Sequence, residues 1–143
     1  MIDLQAAIIP WEEMGRIKLY SDLKQLYKIL EQQKAKPYLV GKYFIRYEIQ
    51  NKIDLWFNVI NGKLFKITAL KNYKGKLFDS ICIGMHIDEV LKIDSSFIYD
   101  DFEEVYISSK GIYIETDPVN DTVMWISIYV KEIDNEDFEI GNW

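Results

Sequence analysis

The sequence predicts an α+β fold: two tandem helix-plus-three-strand units that form a curved antiparallel sheet or half-barrel, with the helices on one face. Three observations predict it. Apolar residues recur at helical spacing in two places, alternating runs of branched and aromatic residues follow each, and turn residues separate those runs. With 143 residues, 49% hydrophobic and 28% charged, the chain has the length expected of one domain and the composition of a globular one. The predicted units cover about 19–75 and 76–132, with an acidic tail over 133–143.

The first helix is expected over Leu19–Gln33, with Ser21 as N-cap and Leu23, Leu26, Tyr27 and Leu30 on one face. Lys34 to Pro37 end it. Lys42–Gln50 then alternates Tyr43, Ile45, Tyr47 and Ile49 against Lys42, Phe44, Arg46 and Glu48. Ile53–Ile60 and Lys63–Leu70 read as a hairpin around Asn61-Gly62, a pair suited to a type I′ turn. Asn72 to Asp79 is a polar connection. The second helix is expected from His86, at or near its N-cap, to about Ile93, with Asp88 and Glu89 at the positive end of the dipole. Strands follow at Phe97–Ser108 (with a possible break at Asp100-Asp101), Gly111–Thr116 and Thr122–Lys131. Ile2–Gly15 is expected to lie across a sheet edge, and the tail after Glu132 to be loose.

Composition excludes much catalytic chemistry. One cysteine and one histidine allow neither a disulfide framework nor a cysteine-rich zinc site. Cys82 sits between Ile81 and Ile83, as a small core residue would, which separates it from His86 as a nucleophile–base pair. Gly75, Gly84 and Gly111 are isolated turn residues, with no phosphate-cradling pattern. Asp94, Asp100, Asp101, Glu103 and Glu104 form an acidic group without calcium-loop spacing. Such a group reads as a solvated or partner-facing loop, so neither a metal, a cofactor nor a catalytic residue is expected. No signal peptide or membrane span is read, and a cytoplasmic location is expected.

The net charge of −6 hides a division along the chain. Residues 1–75 carry 13 Lys/Arg against 7 Asp/Glu, whereas residues 76–143 carry 4 Lys against 16 Asp/Glu. The acidic portion would repel nucleic acid and attract a basic protein, unless the two portions neutralise each other internally. Arg46, Lys42 and Lys66 with Phe44 and Trp56 resemble a stacking platform for nucleic acid, but a chain of pI near 4.8 lacks the overall cationic footprint. Direct nucleic-acid binding is therefore not expected.

Strand parity points to a working surface. Met124, Ile126, Ile128 and Val130 should face the helices, and Val123, Trp125, Ser127, Tyr129 and Lys131 the opposite side. With Ile112 and Ile114 inward, Tyr113, Glu115 and Asp117 are outward; with Val105 and Ile107 inward, Glu104 and Tyr106 are outward. The expected partner-binding set is Asp100, Asp101, Glu103, Glu104, Tyr106, Tyr113, Glu115, Asp117, Trp125 and Tyr129. Aromatic rings give contact area at low entropic cost, and carboxylates pair with Arg or Lys.

Four segments between about Leu64 and Glu132 resemble small immunity proteins of bacterial contact-dependent growth inhibition systems. They are Lys66-Ile67-Thr68-Ala69-Leu70, Gly84-Met85-His86-Ile87-Asp88-Glu89-Val90, Lys110 to Pro118 and Met124-Trp125-Ile126-Ser127-Ile128. The resemblance implies a non-catalytic cytoplasmic inhibitor that binds one cognate toxin domain, often a nuclease, and blocks its active site. Gly84 to Val90 is also similar to the helix entry of small outer-membrane assembly lipoproteins, which implies shared local structure alone. The expectation is an immunity protein that grips a basic nuclease domain through an acidic and aromatic surface. The alternative is a small-ligand or scaffold-binding module with a half-rolled sheet pocket.

Overall fold

A computed structural model describes all 143 residues. In chain order the elements are β1 (Glu13–Met14), β2 (Ile17–Lys18), α1 (Leu23–Gln32), β3 (Lys36–Val40), β4 (Phe44–Ile49), β5 (Ile53–Asn58) and β6 (Leu64–Ala69). Then come α2 (Ile87–Ile93), β7 (Ile98–Asp100), β8 (Val105–Ser108), β9 (Ile112–Thr116), β10 (Val123–Tyr129) and a 3₁₀ turn over Lys131–Asp134. The fold is α+β, dominated by an eight-stranded antiparallel sheet in the order β3-β4-β5-β6-β10-β9-β8-β7. Four strands, not three, follow each helix. Lys36–Val40, whose first two residues are expected to end the helix, forms a strand and pairs with β4 despite Pro37, which an edge strand tolerates. The Phe97–Ser108 run is broken at its acids into β7 and β8.

The local chemistry explains the element ends. Asp22, rather than Ser21, caps α1: its carboxylate accepts from Lys24 N at 2.8 Å while Gln25 Oε1 accepts from Asp22 N at 3.1 Å, a reciprocal capping box. His86 caps α2, its Nδ1 accepting from Asp88 N at 3.1 Å. The β5–β6 hairpin forms where expected but with a wider turn. Asn58 N donates to Lys63 O and Gly62 N to Asn58 O, and φ is positive at Gly62 but not at Asn61, whereas a type I′ turn needs both.

One face of the sheet carries Ile53, Leu55, Ile67, Ala69, Ile112, Ile114, Ile126 and Ile128, which join Leu26 and Leu30 of α1 and Ile87 and Val90 of α2 in one apolar cluster. Both helices therefore cover this face. The N-terminal segment belongs to the same core and does not lie along an edge: Ile8, Met14, Ile17 and Leu19 are all buried. Tyr73 anchors it, donating its hydroxyl proton to Ala6 O (2.7 Å) and accepting from Gly15 N (2.8 Å). Ile81 is buried in this region, but Cys82 is only half-buried and lies outside any strand, so the thiol is not the core residue expected.

The acidic tail is tied down, not loose. Phe138 is buried beside Phe44 and Phe65, and Trp143 stacks on it at 5.0 Å. The buried Asn58 side chain donates to Phe138 O and Glu139 O and accepts from Ile60 N and Asn61 N. Asn58→Ala should release residues 135–143, with a stability loss of about 1–2 kcal/mol. Limited proteolysis would show it as early cleavage in the tail; a variant cut no faster than wild type would contradict this account.

Candidate functional site

The sheet face opposite the helices carries the candidate site. Cross-strand register places Glu48 beside Asp54, Asp54 beside Thr68, Thr68 beside Ser127 and Ser127 beside Tyr113. Arg46, Trp56 and Lys66 form the next row, and Trp125 stands beside Glu115. At the floor the two central strands present small hydroxyls, Thr68 and Ser127, whose side-chain oxygens lie 2.8 Å apart. Larger side chains rise around them. The result is a recess of about 370 Å³ with Arg46, Asp54, Trp56, Lys66, Glu115 and Trp125 among its walls.

Two of its three cations, Arg46 and Lys66, are already engaged, whereas Lys71 at its rim is in no ion pair. Arg46 Nη1 lies 3.2 Å from Glu48 and 3.3 Å from Asp54 Oδ2, and its guanidinium sits 4.4 Å from the Tyr38 ring centre. Lys66 Nζ donates to Tyr113 Oη at 2.8 Å and sits 4.0 Å over the Trp56 ring. The carboxylates are less well served. Asp54 is 8% exposed, and its Oδ1 has no hydrogen-bond partner; neither has Trp56 Nε1. Burial raises the Asp54 pKa above the usual carboxylate range, against the opposing pull of Arg46. Burial likewise raises Glu115, which Lys66 only partly offsets.

Two further recesses adjoin this one. Tyr113 and Glu115 also line a recess with Glu103, Val105, Ile107 and Tyr129, and Trp56 and Lys66 line another with Phe44, Glu103 and Phe138. Tyr113 and Tyr129 stack with centres 5.6 Å apart, and Trp11 meets Tyr129 edge-on. These contacts leave Tyr113 and Tyr129 half-buried, whereas Trp125 remains 36% exposed.

The structure divides the expected binding set. Tyr113, Glu115, Trp125 and Tyr129 share the open face as expected. Tyr106 does not: it pairs with Ile114, on the helix-covered side, and Ile107 pairs with Tyr113 on the open side. The parity assumed for β8 is reversed: Val105 and Ile107, taken as inward because they are apolar, lie on the open side, where both line a recess with Tyr113 and Tyr129. Tyr106 instead packs on Tyr99 at 4.9 Å, and its pKa is raised by burial and by Asp121. A register shift between Val123 and Trp125 has a similar effect at the start of β10, returning Val123 to the core.

Asp100, Asp101, Glu103 and Glu104 cluster at the β7–β8 turn, where Asp100 Oδ1 accepts from Phe102 N and Glu103 N. Asp117 makes the same kind of turn, accepting from Val119 N and Asn120 N. Asp94 stands apart from the hairpin acids, buried against Lys110 Nζ at 2.7 Å, which together with Ser96 lowers its pKa against the opposing effect of burial. No group of three or more His, Cys, Asp and Glu residues converges as metal ligands. No helix is long and apolar enough to cross a membrane.

The uneven charge of the sequence is also uneven in space. The sheet order sets β3 to β6 on one side and β7 to β10 on the other. All four Lys/Arg ion pairs join partners within the same portion of the chain, so none joins residues 1–75 to residues 76–143. The recess marks the seam, where Lys66 and Glu115 come nearest to sharing a field. Of the expected platform of Arg46, Lys42, Lys66, Phe44 and Trp56, the register places all but Lys42 on this face, and Lys42 lies in the β3–β4 turn. Sequence reasoning missed the recess itself, whose signal is the pair of small polar residues Thr68 and Ser127 facing each other across distant strands.

No protein-family model matches the chain, and no curated protein matches it. Among solved structures it is similar to a cysteine-rich secretory protein from Staphylococcus aureus subsp. aureus Mu50, with a TM-score of 0.55 and 16% identity. The similarity covers 92% of this chain and 51% of that one, so the chain spans about half the length of its structural neighbour. At this identity the likeness concerns the fold.

Proposed function

We propose that this chain is a non-catalytic cytoplasmic immunity protein that neutralises a cognate toxin domain, a basic nuclease, by docking it on the open sheet face and the adjoining acidic turn. In this reading the two helix-and-strand units form the halves of one curved scaffold. The observation that carries it is the uncompensated acidity of the β7–β10 side: no ion pair reaches Asp100, Asp101, Glu103 or Glu104. Glu103 also lines the recesses that continue toward Tyr129 and Phe44. Steering by the acidic turn would lead a cationic partner onto Trp125, Tyr113 and Tyr129, whose rings supply short-range contact.

A specific observation favours a second reading. The 370 Å³ recess has the size of a small-ligand site. An apolar pocket without convergent charges would support such a module, whereas this recess converges charged groups.

The deciding experiment is co-purification with a small basic toxin domain encoded beside this chain, together with protection of cells that express that domain. Stoichiometric capture and survival are expected; no complex and no protection would overturn the proposal. Charge reversal at Asp101, Glu103 and Glu104 should slow association by about tenfold at low ionic strength, with little change in dissociation. Stopped-flow mixing at two salt concentrations checks this. An unchanged association rate at low salt would remove the acidic turn from the interface.

A further inference from the structure

The charged lining of the recess is three cations, Arg46, Lys66 and Lys71, and three carboxylates, Glu48, Asp54 and Glu115, yet Glu115 and Asp54 Oδ1 are left without a partner among them. Arg46 is shared between Glu48 and Asp54 Oδ2, and Lys66 Nζ is held by Tyr113 Oη and the Trp56 ring. Glu115 is in no ion pair with either. It is half-buried beside Trp125, its partner across β9 and β10. On the opposite wall Asp54 Oδ1 is sealed from solvent and lacks a donor. Burying a carboxylate without a matching donor is costly, and a bound cation recovers that cost. The most exposed ring on the wall, Trp125, adds a face suited to a flat cation.

We infer that the recess over Thr68 and Ser127 is a subsite for a single guanidinium group, an arginine side chain of the docked partner, held between the Glu115 carboxylate and the Trp125 indole with Asp54 reinforcing the field. A guanidinium fits better than an ammonium because it is planar, weakly hydrated, stacks on indole and can pair with a carboxylate through two N–H groups. The inference rests on the docking proposal for who carries the arginine. Its test needs no partner, so the two can fail separately.

The probe is N-acetyl-arginine-methylamide, titrated into the full chain while the tryptophan indole resonances are followed by NMR; the uncharged citrulline counterpart is the control. Arginine should shift the Trp125 and Trp56 signals saturably, with a Kd of about 1–10 mM for one isolated group. Citrulline should bind at least tenfold more weakly. Glu115→Gln, with unchanged spectral dispersion, should lose the arginine preference, and Trp125→Leu should weaken binding several-fold as read at Trp56. No saturation below about 100 mM, equal binding of citrulline, or an unaltered response in Glu115→Gln would each overturn the inference. Arginine binding without toxin capture would leave the subsite standing and remove the docking proposal; capture without arginine binding would do the reverse.

Discussion

Alanine at position 75 is expected to destabilise the protein by about 3 kcal/mol and lower its Tm by roughly 10 °C. Gly75 lies where the connection after β6 runs beside the N-terminal segment: Lys74 N and Gly75 N both donate to Leu4 O, and Ile8 N donates to Lys76 O. A Cβ at Gly75 would collide with the Ala6 carbonyl oxygen and lie 2.6 Å from Tyr73 Cε1. These neighbours are backbone and a fully buried ring, so neither can move away cheaply. Gly41→Ala is the control, since φ there is +63° but nothing lies within 4 Å of the added carbon; it should cost only about 1–2 kcal/mol. Thermal melts of the two variants decide the matter. A Gly75→Ala protein as stable as Gly41→Ala would show that the N-terminal segment does not pack as described.

The second large effect is alkaline. Tyr73 is 1% exposed, and burial pushes its phenol pKa from 10.0 up to about 12, although Gly15 N, donating to its oxygen, acts in the opposite direction. Below pH 10 the phenol is protonated in both the folded and unfolded states, and its stabilising contribution is complete. Above pH 10 the unfolded chain ionises first, so that contribution falls away as the pH rises toward 12. The loss amounts to at most about 2.7 kcal/mol. Tyr73→Phe strips Ala6 O of a donor and Gly15 N of an acceptor, and should cost about 1–2 kcal/mol at pH 8. The gap between wild type and Tyr73→Phe should then narrow from pH 10 to pH 12. Urea unfolding at pH 8, 10 and 11.5 measures it, and a gap independent of pH would refute the assignment. Tyr20, also raised to about 12 by partial burial and Glu132, is present in both proteins and cancels in the comparison.

Much of the sheet was legible because its strands alternate cleanly. Ile45, Tyr47 and Ile49 against Phe44, Arg46 and Glu48 can be read directly from period-two spacing. Elsewhere the reading slipped. In β8 the apolar Val105 and Ile107 were taken to face the helices, which put Tyr106 on the wrong face, and the shift near Met124 misplaced Val123. Tyr73 and Gly75 sit in a polar-looking connection, so nothing local signals that they clamp the N-terminal segment. Phe138 and Trp143 were visible as isolated aromatics in an acidic tail, but their burial depends on Asn58, far earlier in the chain. Of the candidate site, the rings and Glu115 followed from strand parity. The recess did not, because it depends on β6 pairing with β10, a long-range choice that no local pattern encodes.

That same pairing has a consequence for synthesis on the ribosome. Ala69 meets Ile126, and Lys66 meets Tyr129, so the middle of the sheet stays open until residues 123–129 have left the exit tunnel. Until then β6 presents an unprotected strand border to solvent, or to any chaperone near the tunnel mouth. Slowing translation before codon 123 would prolong that vulnerable interval, whereas slowing it afterwards would matter far less.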